Sequence, residues 1–288
     1  LNWRQRHIEE LGNTTLQGLL QKRLEHYQLS PTHLTKFIDL EYGGPETFFF
    51  DVILRFPQAP SANASFGNAI HQTLEWVQHQ TTASGQAPSI ADTTSYFTTC
   101  IQRYQLSPTQ RALEIERGER TIAAYMTARS NTFKPGDKAE HNFRHDGVFI
   151  DEVHMSGEID HIEIDQAKKT ITIVDYKTGK SYSKWVSNPK LHKYQLQLYC
   201  YKLLVENSRT YRGYKVVAGR LDFVEPDEHN QIQSLELTFN DEELKRVRWL
   251  LRAMWKYVGE LRFPDVSGYD KTLHGIKQFE DSMINGET

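Results

Sequence analysis

The chain has 288 residues, enough for one large globular domain or two small ones. Hydrophobic residues at 38% and charged residues at 25% exclude global disorder, and there is no run of 18 apolar residues to span a bilayer. A net charge of −3 excludes a protein that grips nucleic acid with its whole surface, so any such binding must be local. Residues 1–10 are charged and polar with no apolar stretch behind them, so they do not form a secretory signal. The chain begins at Leu1 rather than Met, as expected of a piece of a longer chain or of a processed start.

The first quarter reads as helical. Residues 3–27 are polar with spaced apolar positions at Ile8, Leu11, Leu16, Leu19, Leu20 and Leu24. Ser30-Pro31 predicts a helix start, and Gly43-Gly44-Pro45 ends that helix. The apolar segment 46–56 suits either helix or strand. Helices are predicted over 66–79, 90–105 and 108–130. After Lys134-Pro135-Gly136-Asp137 the period changes, and 138–175 alternates as antiparallel strands do. A helix over 189–206, strands near 214–224 and 232–239, and a capped helix from 240 to 261 follow. The remaining tail, with Pro264 and several glycines, reads as irregular. The layout is α/β, a mixed sheet with flanking helices and a helical N-terminal part.

Cys100 and Cys200 are too few for a four-thiolate zinc or iron–sulfur site. A reducing cytoplasm is the expected setting, and Cys200 on an apolar helical face reads as a small buried hydrophobe. Between residues 176 and 205 stand six lysines (177, 180, 184, 190, 193, 202) and no acid. A charge run is often only a solvated face; this one starts beside the strongest catalytic candidate.

That candidate is a hairpin. The strands Ser156–Ile164 and Thr170–Lys177 flank the polar turn 165–169. Pairing outward from its centre puts Asp160 opposite Val174 or Asp175, with Cβ atoms roughly 5 Å apart. Two carboxylates at that distance repel unless a cation lies between them. Asp160, Ile162 and Ile164 share one face, as do Ile171, Ile173, Asp175 and Lys177. With the isoleucines inward, the charged groups sit at one edge of a buried layer, where a divalent metal would offset their desolvation. Mg²⁺ prefers carboxylate and water oxygens, lowers the pKa of a bound water and stabilises charge on phosphoryl oxygens. A lysine beside it positions that water. Asp-X-Lys alone carries little information, since average composition yields about one by chance in such a chain.

Gly157-Glu-Ile-Asp160 followed by Asp175-Tyr-Lys177 resembles motifs II and III of the PD-(D/E)XK nucleases, in their RecB-like branch. Leu29-Ser-Pro-Thr32 resembles the start of that domain, Phe66-Gly-Asn-Ala-Ile-His71 its "fG-x-x-x-H" motif, and Gln195-Leu-Gln-Leu-Tyr199 its "Q-L-x-x-Y" helix motif. The resemblance implies a restriction-endonuclease-like core over 29–288, with 1–28 as a helical lead-in or linker. It implies His71, Asp160, Asp175 and the Tyr176 carbonyl as metal ligands, with Glu140 as a supporting acid behind them. Lys177 would orient water and Gln195 would steer Lys177 or the scissile phosphate. Tyr199 would contact DNA or brace the site, and Lys180, Lys184, Lys190 and Lys193 of the acid-free run would then be the DNA-contacting lysines. The implied cofactor is Mg²⁺, with Mn²⁺ substituting and no iron–sulfur cluster. The implied partners are DNA, as single strands or duplex ends, and a helicase domain in cis or in trans; no membrane is involved.

Read without the resemblance, His71 is a structural histidine, and Gln195 and Tyr199 are the polar edge of an amphipathic helix. His141 and His145 read as surface histidines. Two alternatives stand beside an active nuclease: a catalytically silent nuclease-like module that binds DNA or scaffolds a complex, and a histidine-based zinc hydrolase, which lacks a ligand cluster.

Overall fold

A computed structural model describes residues 12–58 and 61–286. The first part of the expected N-terminal helix, 3–11, lies outside the described residues; its continuation is helix α1 (Gly12–Glu25). Ser30 caps α2 (Pro31–Phe37), its hydroxyl accepting from His33 N while the His33 ring accepts from Ser30 N. The ambiguous apolar segment is helical: α3 (Gly44–Phe48) runs into a π-helical turn, Phe49–Ile53.

Three helices then form a layer: α4 (Ala62–Ser84), α5 (Ile90–Ile101) and α6 (Pro108–Arg129). Each begins after a serine whose side chain accepts a first-turn amide (Ser61, Ser89, Ser107). The strands are β1 (Lys138–Asn142), β2 (Val148–Ile150), β3 (Val153–Met155), β4 (Glu158–Asp165) and β5 (Thr170–Lys177). Helix α7 (Pro189–Asn207) crosses to β6 (Lys215–Phe223), which is followed by β7 (Ser234–Leu237) and α8 (Asp241–Gly259).

The main sheet has the order β1-β4-β5-β6-β7, and β2 and β3 form a separate hairpin. Within this sheet only β5 and β6 pair in parallel, the pairing that requires a crossover such as α7. The β4–β5 register pairs His161 with Val174 and Ile162 with Ile173, so the expected hairpin holds.

Side chains of β5 alternate between two cores. Ile171 and Ile173 pack with α2, α7 and α8, while Val174 and Tyr176 pack with Phe66, Ile70, Phe97 and Tyr125 of the three-helix layer. Covered on both faces, the sheet leaves only its edges and strand ends for polar chemistry. Gly157 is a point of close approach. A Cβ there would lie 2.7 Å from Leu204 Cδ1 and 3.1 Å from Pro31 Cδ, so α2 and α7 rest directly on the hairpin entrance.

The tail departs from the sequence reading. Thr272 caps a 13-residue helix, α9 (Leu273–Asn285), which buries Ile276, Phe279 and Met283 at helical spacing. Gly275 hides that helix from propensity; it is needed because a Cβ there would sit 2.1 Å from Asp270 O. His141 also differs from expectation. It is half-buried, edge-on to Phe143 and Tyr211. No described helix is long and apolar enough to cross a membrane.

Candidate active site

The site forms where α4 reaches the ends of β1, β4 and β5. His71 projects from α4 with Nδ1 3.3 Å from Asp160 Oδ1 and 3.5 Å from Glu140 Oε1. One ligand atom from each of the three lies within 4.8 Å of the others. Gly67, one turn before His71, meets the sheet closely: a Cβ there would stand 3.3 Å from Thr178 Oγ1.

Glu140 reaches this point by an unusual backbone. The β1–β4 pairs on either side are Ala139–His161 and His141–Ile159, and between them Glu140 adopts φ 45°. The left-handed region costs a non-glycine residue roughly 1–2 kcal/mol. Such outliers persist where surrounding structure holds them and are concentrated at functional sites. Glu140 Oε1 is buried and accepts no hydrogen bond.

The electrostatics follow from crowding acids in a dry place. Burial pushes the Glu140 carboxyl up to about 7; Asp160 adds to the rise, and His71 opposes it. Burial pulls the His71 imidazole down, but the charges of Asp160 and Glu140 outweigh it and raise His71 to about 10. The cluster therefore holds protons where a metal would sit. Two carboxylate oxygens and one imidazole nitrogen, one oxygen lacking a partner, fit a divalent cation of the Mg²⁺ or Mn²⁺ kind.

Asp175 is buried on the adjoining strand, and burial raises it to about 6 against the pull of Lys177. Lys177 Nζ lies 2.5 Å from Asp175 Oδ2, and it donates to Gln197 Oε1 at 2.8 Å. Gln197 Nε2 in turn donates to Tyr201 Oη at 2.7 Å. The amide of Tyr176 donates to Asp160 Oδ2 at 2.7 Å, tying the two motif strands together.

The structure thus brings His71, Glu140 and Asp160 into one cluster, with Tyr176, Asp175 and Lys177 beside it. Glu140, expected behind His71 and Asp160, stands level with them in the cluster. Gln195 and Tyr199 are not brought to this site. Gln195 lines a separate depression with His192 and Lys277, and the Tyr199 hydroxyl accepts from Asn240 N at the start of α8. The helix register differs by two residues because Gln197-Leu198-Tyr199-Cys200-Tyr201 repeats the same Q-L-x-x-Y spacing. On α7, Tyr194, Gln197 and Tyr201 form the stripe at three- and four-residue spacing that faces β5.

The lysines divide. The Lys190 ammonium is lowered by burial and then by Lys177, Lys193 and Lys180, so these four cations gather at one end of α7. Lys193 is also ion-paired with Asp39, and Lys202 is buried against Glu206 and Val216 O. Lys184 is exposed in the loop before α7.

On the α4 side the cluster opens into a cleft of about 520 Å³ lined by Asn68, Glu75, Glu140 and Glu158. No Lys or Arg lines it, so it suits cations and water rather than phosphates.

A search among curated proteins returns no match. The family model of the PD-(D/E)XK nuclease superfamily matches residues 28–268, which include each of these groups. With a mixed sheet between helices, and acids and a lysine at the ends of the central hairpin, the chain belongs to the PD-(D/E)XK nuclease superfamily.

Proposed function

We propose that the chain is a divalent-metal-dependent deoxyribonuclease of the RecB-like kind. The observation that carries this reading is the convergence of His71, Glu140 and Asp160 within 4.8 Å, with the Asp175–Lys177 pair on the next strand. His71, Glu140 and Asp160 would hold the ion, with Asp175 and the Tyr176 carbonyl joining them. When bound, Mg²⁺ or Mn²⁺ supplies Lewis acidity and a water of lowered pKa.

The protein's own groups do the rest. Lys177, held by Gln197 and Asp175, places a positive charge where the attacking water and the phosphoryl oxygens meet. Gln197 and Tyr201 fix that ammonium's position. The lysines gathered at the start of α7 attract the phosphate backbone despite the overall charge of −3. By resemblance, the domain of residues 29–288 acts as an exonuclease beside a helicase in DNA repair or recombination, in the cytoplasm, with 1–28 as its lead-in.

The test is cleavage of end-labelled single- and double-stranded DNA with Mg²⁺, with Mn²⁺ and with chelator. Cleavage is expected only with metal. Asp160→Ala and Lys177→Ala should each lower the rate by ~10²–10³-fold. Metal-independent cleavage, or variants as fast as the parent, refute the reading. Binding of DNA without cleavage identifies a silent module.

A further inference from the structure

A second depression adjoins the cluster on the side away from α4. Its volume is about 310 Å³, near the lower end for small-ligand pockets. Ser30, Thr32, Asn142 and Arg144 give it a polar wall, and Glu158 and Tyr201 close the end toward the cluster. Glu158 lines both this depression and the acidic cleft, so the two are neighbours across one side chain. Glu158 is the only carboxylate in the lining, and it already accepts from Asn142 Nδ2 at 2.6 Å.

Arg144 is the cation of this wall. Its backbone is held on both sides: its amide donates to Asn142 Oδ1 at 2.9 Å, and its carbonyl accepts from Gln28 Nε2 at 3.2 Å. Its guanidinium, in contrast, has no ion-pair or hydrogen-bond partner among the described residues. Arg117, Arg248 and Arg252 are paired with Glu225, Asp151 and Glu152, whereas exposed arginines such as Arg55 and Arg103 are, among the described residues, unpaired like Arg144; what sets Arg144 apart is its place in the wall of a depression beside the cluster. An unpaired arginine on a held backbone in the wall of a polar depression suits an oxyanion.

Helix α7 puts this depression in line with the other cationic groups. Lys190, Tyr194, Gln197 and Tyr201 follow one stripe. Lys190 lies over Tyr194, Lys177 lies between Tyr194 and Gln197, and Tyr201 borders the depression. From Lys190 to Tyr201 the helix rises ~16 Å. That covers several phosphates at the ~3.4 Å axial spacing of duplex DNA. The metal cluster and Lys177 lie between a lysine end and an arginine end.

On the basis of the nuclease reading above, we propose that this depression seats the DNA phosphate neighbouring the scissile one, on the side opposite the lysines, and that Arg144 grips it. The bound strand then crosses the cluster with a cationic hold at each end, which fixes the scissile phosphate over the metal.

The experiment measures binding of a fluorescein-labelled DNA oligonucleotide by anisotropy in Ca²⁺, with cleavage in Mg²⁺ run in parallel. Arg144→Gln should weaken binding about tenfold, the effect of losing one charge-assisted contact. It should also reduce the salt slope by about one. Arg144→Lys should recover part of the affinity, and the thermal midpoint should stay unchanged because the side chain braces nothing. A single neutral methylphosphonate linkage beside the cleavage position should reproduce the loss in the parent and add nothing in Arg144→Gln. Equal binding by parent and Arg144→Gln overturns the proposal and leaves the nuclease reading standing. A parent that binds but never cleaves, with Arg144→Gln weakened, supports the seat and overturns catalysis. A parent that binds no DNA overturns both.

Discussion

Lys177 Nζ and Gln197 Oε1 are 2.8 Å apart, joining the end of the central hairpin to the crossover helix. That bond decides which glutamine serves the site. Gln197→Ala should free Lys177 and lower kcat by ~10–100-fold, the usual effect of losing a group that orients a site residue. Gln195→Ala, two positions away and facing another depression, should leave kcat within about twofold. Steady-state kinetics of both variants provide the check; equal effects would mean that the bond is incidental.

If the His71–Glu140–Asp160 cluster holds a divalent ion as proposed, it predicts a stabilising ligand effect. Mn²⁺ at about 100 times its Kd should stabilise the parent by ~2.7 kcal/mol. His71→Ala or Asp160→Ala should abolish most of the thermal shift, whereas Gln195→Ala should keep it. Differential scanning fluorimetry with and without Mn²⁺ reads this directly, even if no substrate is cleaved.

His71, raised to about 10, holds a proton in the metal-free protein at pH 7.5 and must lose it to become a ligand. Metal binding should therefore release about one proton, and affinity should rise with pH between about 7 and 9. Calorimetric titrations in two buffers of different ionisation enthalpy count the proton. A pH-independent affinity with no proton release would exclude His71 as a ligand.

Glu140 makes the metal-free fold sensitive to pH. Its folded carboxyl, at about 7, lies above the ordinary 4.5. A raised acid contributes stability that is fully present below 4.5 and is lost as pH rises through about 7. Glu140→Gln in chelator should therefore melt higher than the parent at pH 8 and nearly equal to it at pH 4.5. The opposite order at pH 8 would mean that the Glu140–His71 attraction outweighs the burial of the charge.

Gly157 tests the packing that brings α2 and α7 onto the hairpin. Gly157→Ala would place a Cβ 2.7 Å from Leu204 Cδ1, an overpacking expected to cost ~1–3 kcal/mol. Urea unfolding measures the loss. A shift in the midpoint without a change in slope would locate the effect in the folded state.

Much of the fold is local and was legible in the residues. Serine caps, the break at residues 134–137 and period-two alternation predicted the helices and the hairpin, because capping and alternation act over a few residues. The turn narrowed the hairpin register to Asp160 opposite Val174 or Asp175, and the observed pairing of His161 with Val174 selects Asp175. Tertiary structure decided the rest. Gln195 and Gln197 sit in the same Q-L-x-x-Y spacing, and only the face that α7 turns toward β5 selects Gln197. Glu140 joins His71 and Asp160 through a left-handed backbone that no local pattern encodes. The α9 helix carries a glycine, Gly275, where a Cβ would meet Asp270 O, a close approach invisible to propensity. The same holds for Lys177 and Gln197: the sequence determined that Lys177 ends a buried strand, but its partner depended on how a distant helix packs, because packing direction is set by the whole core rather than by neighbouring residues.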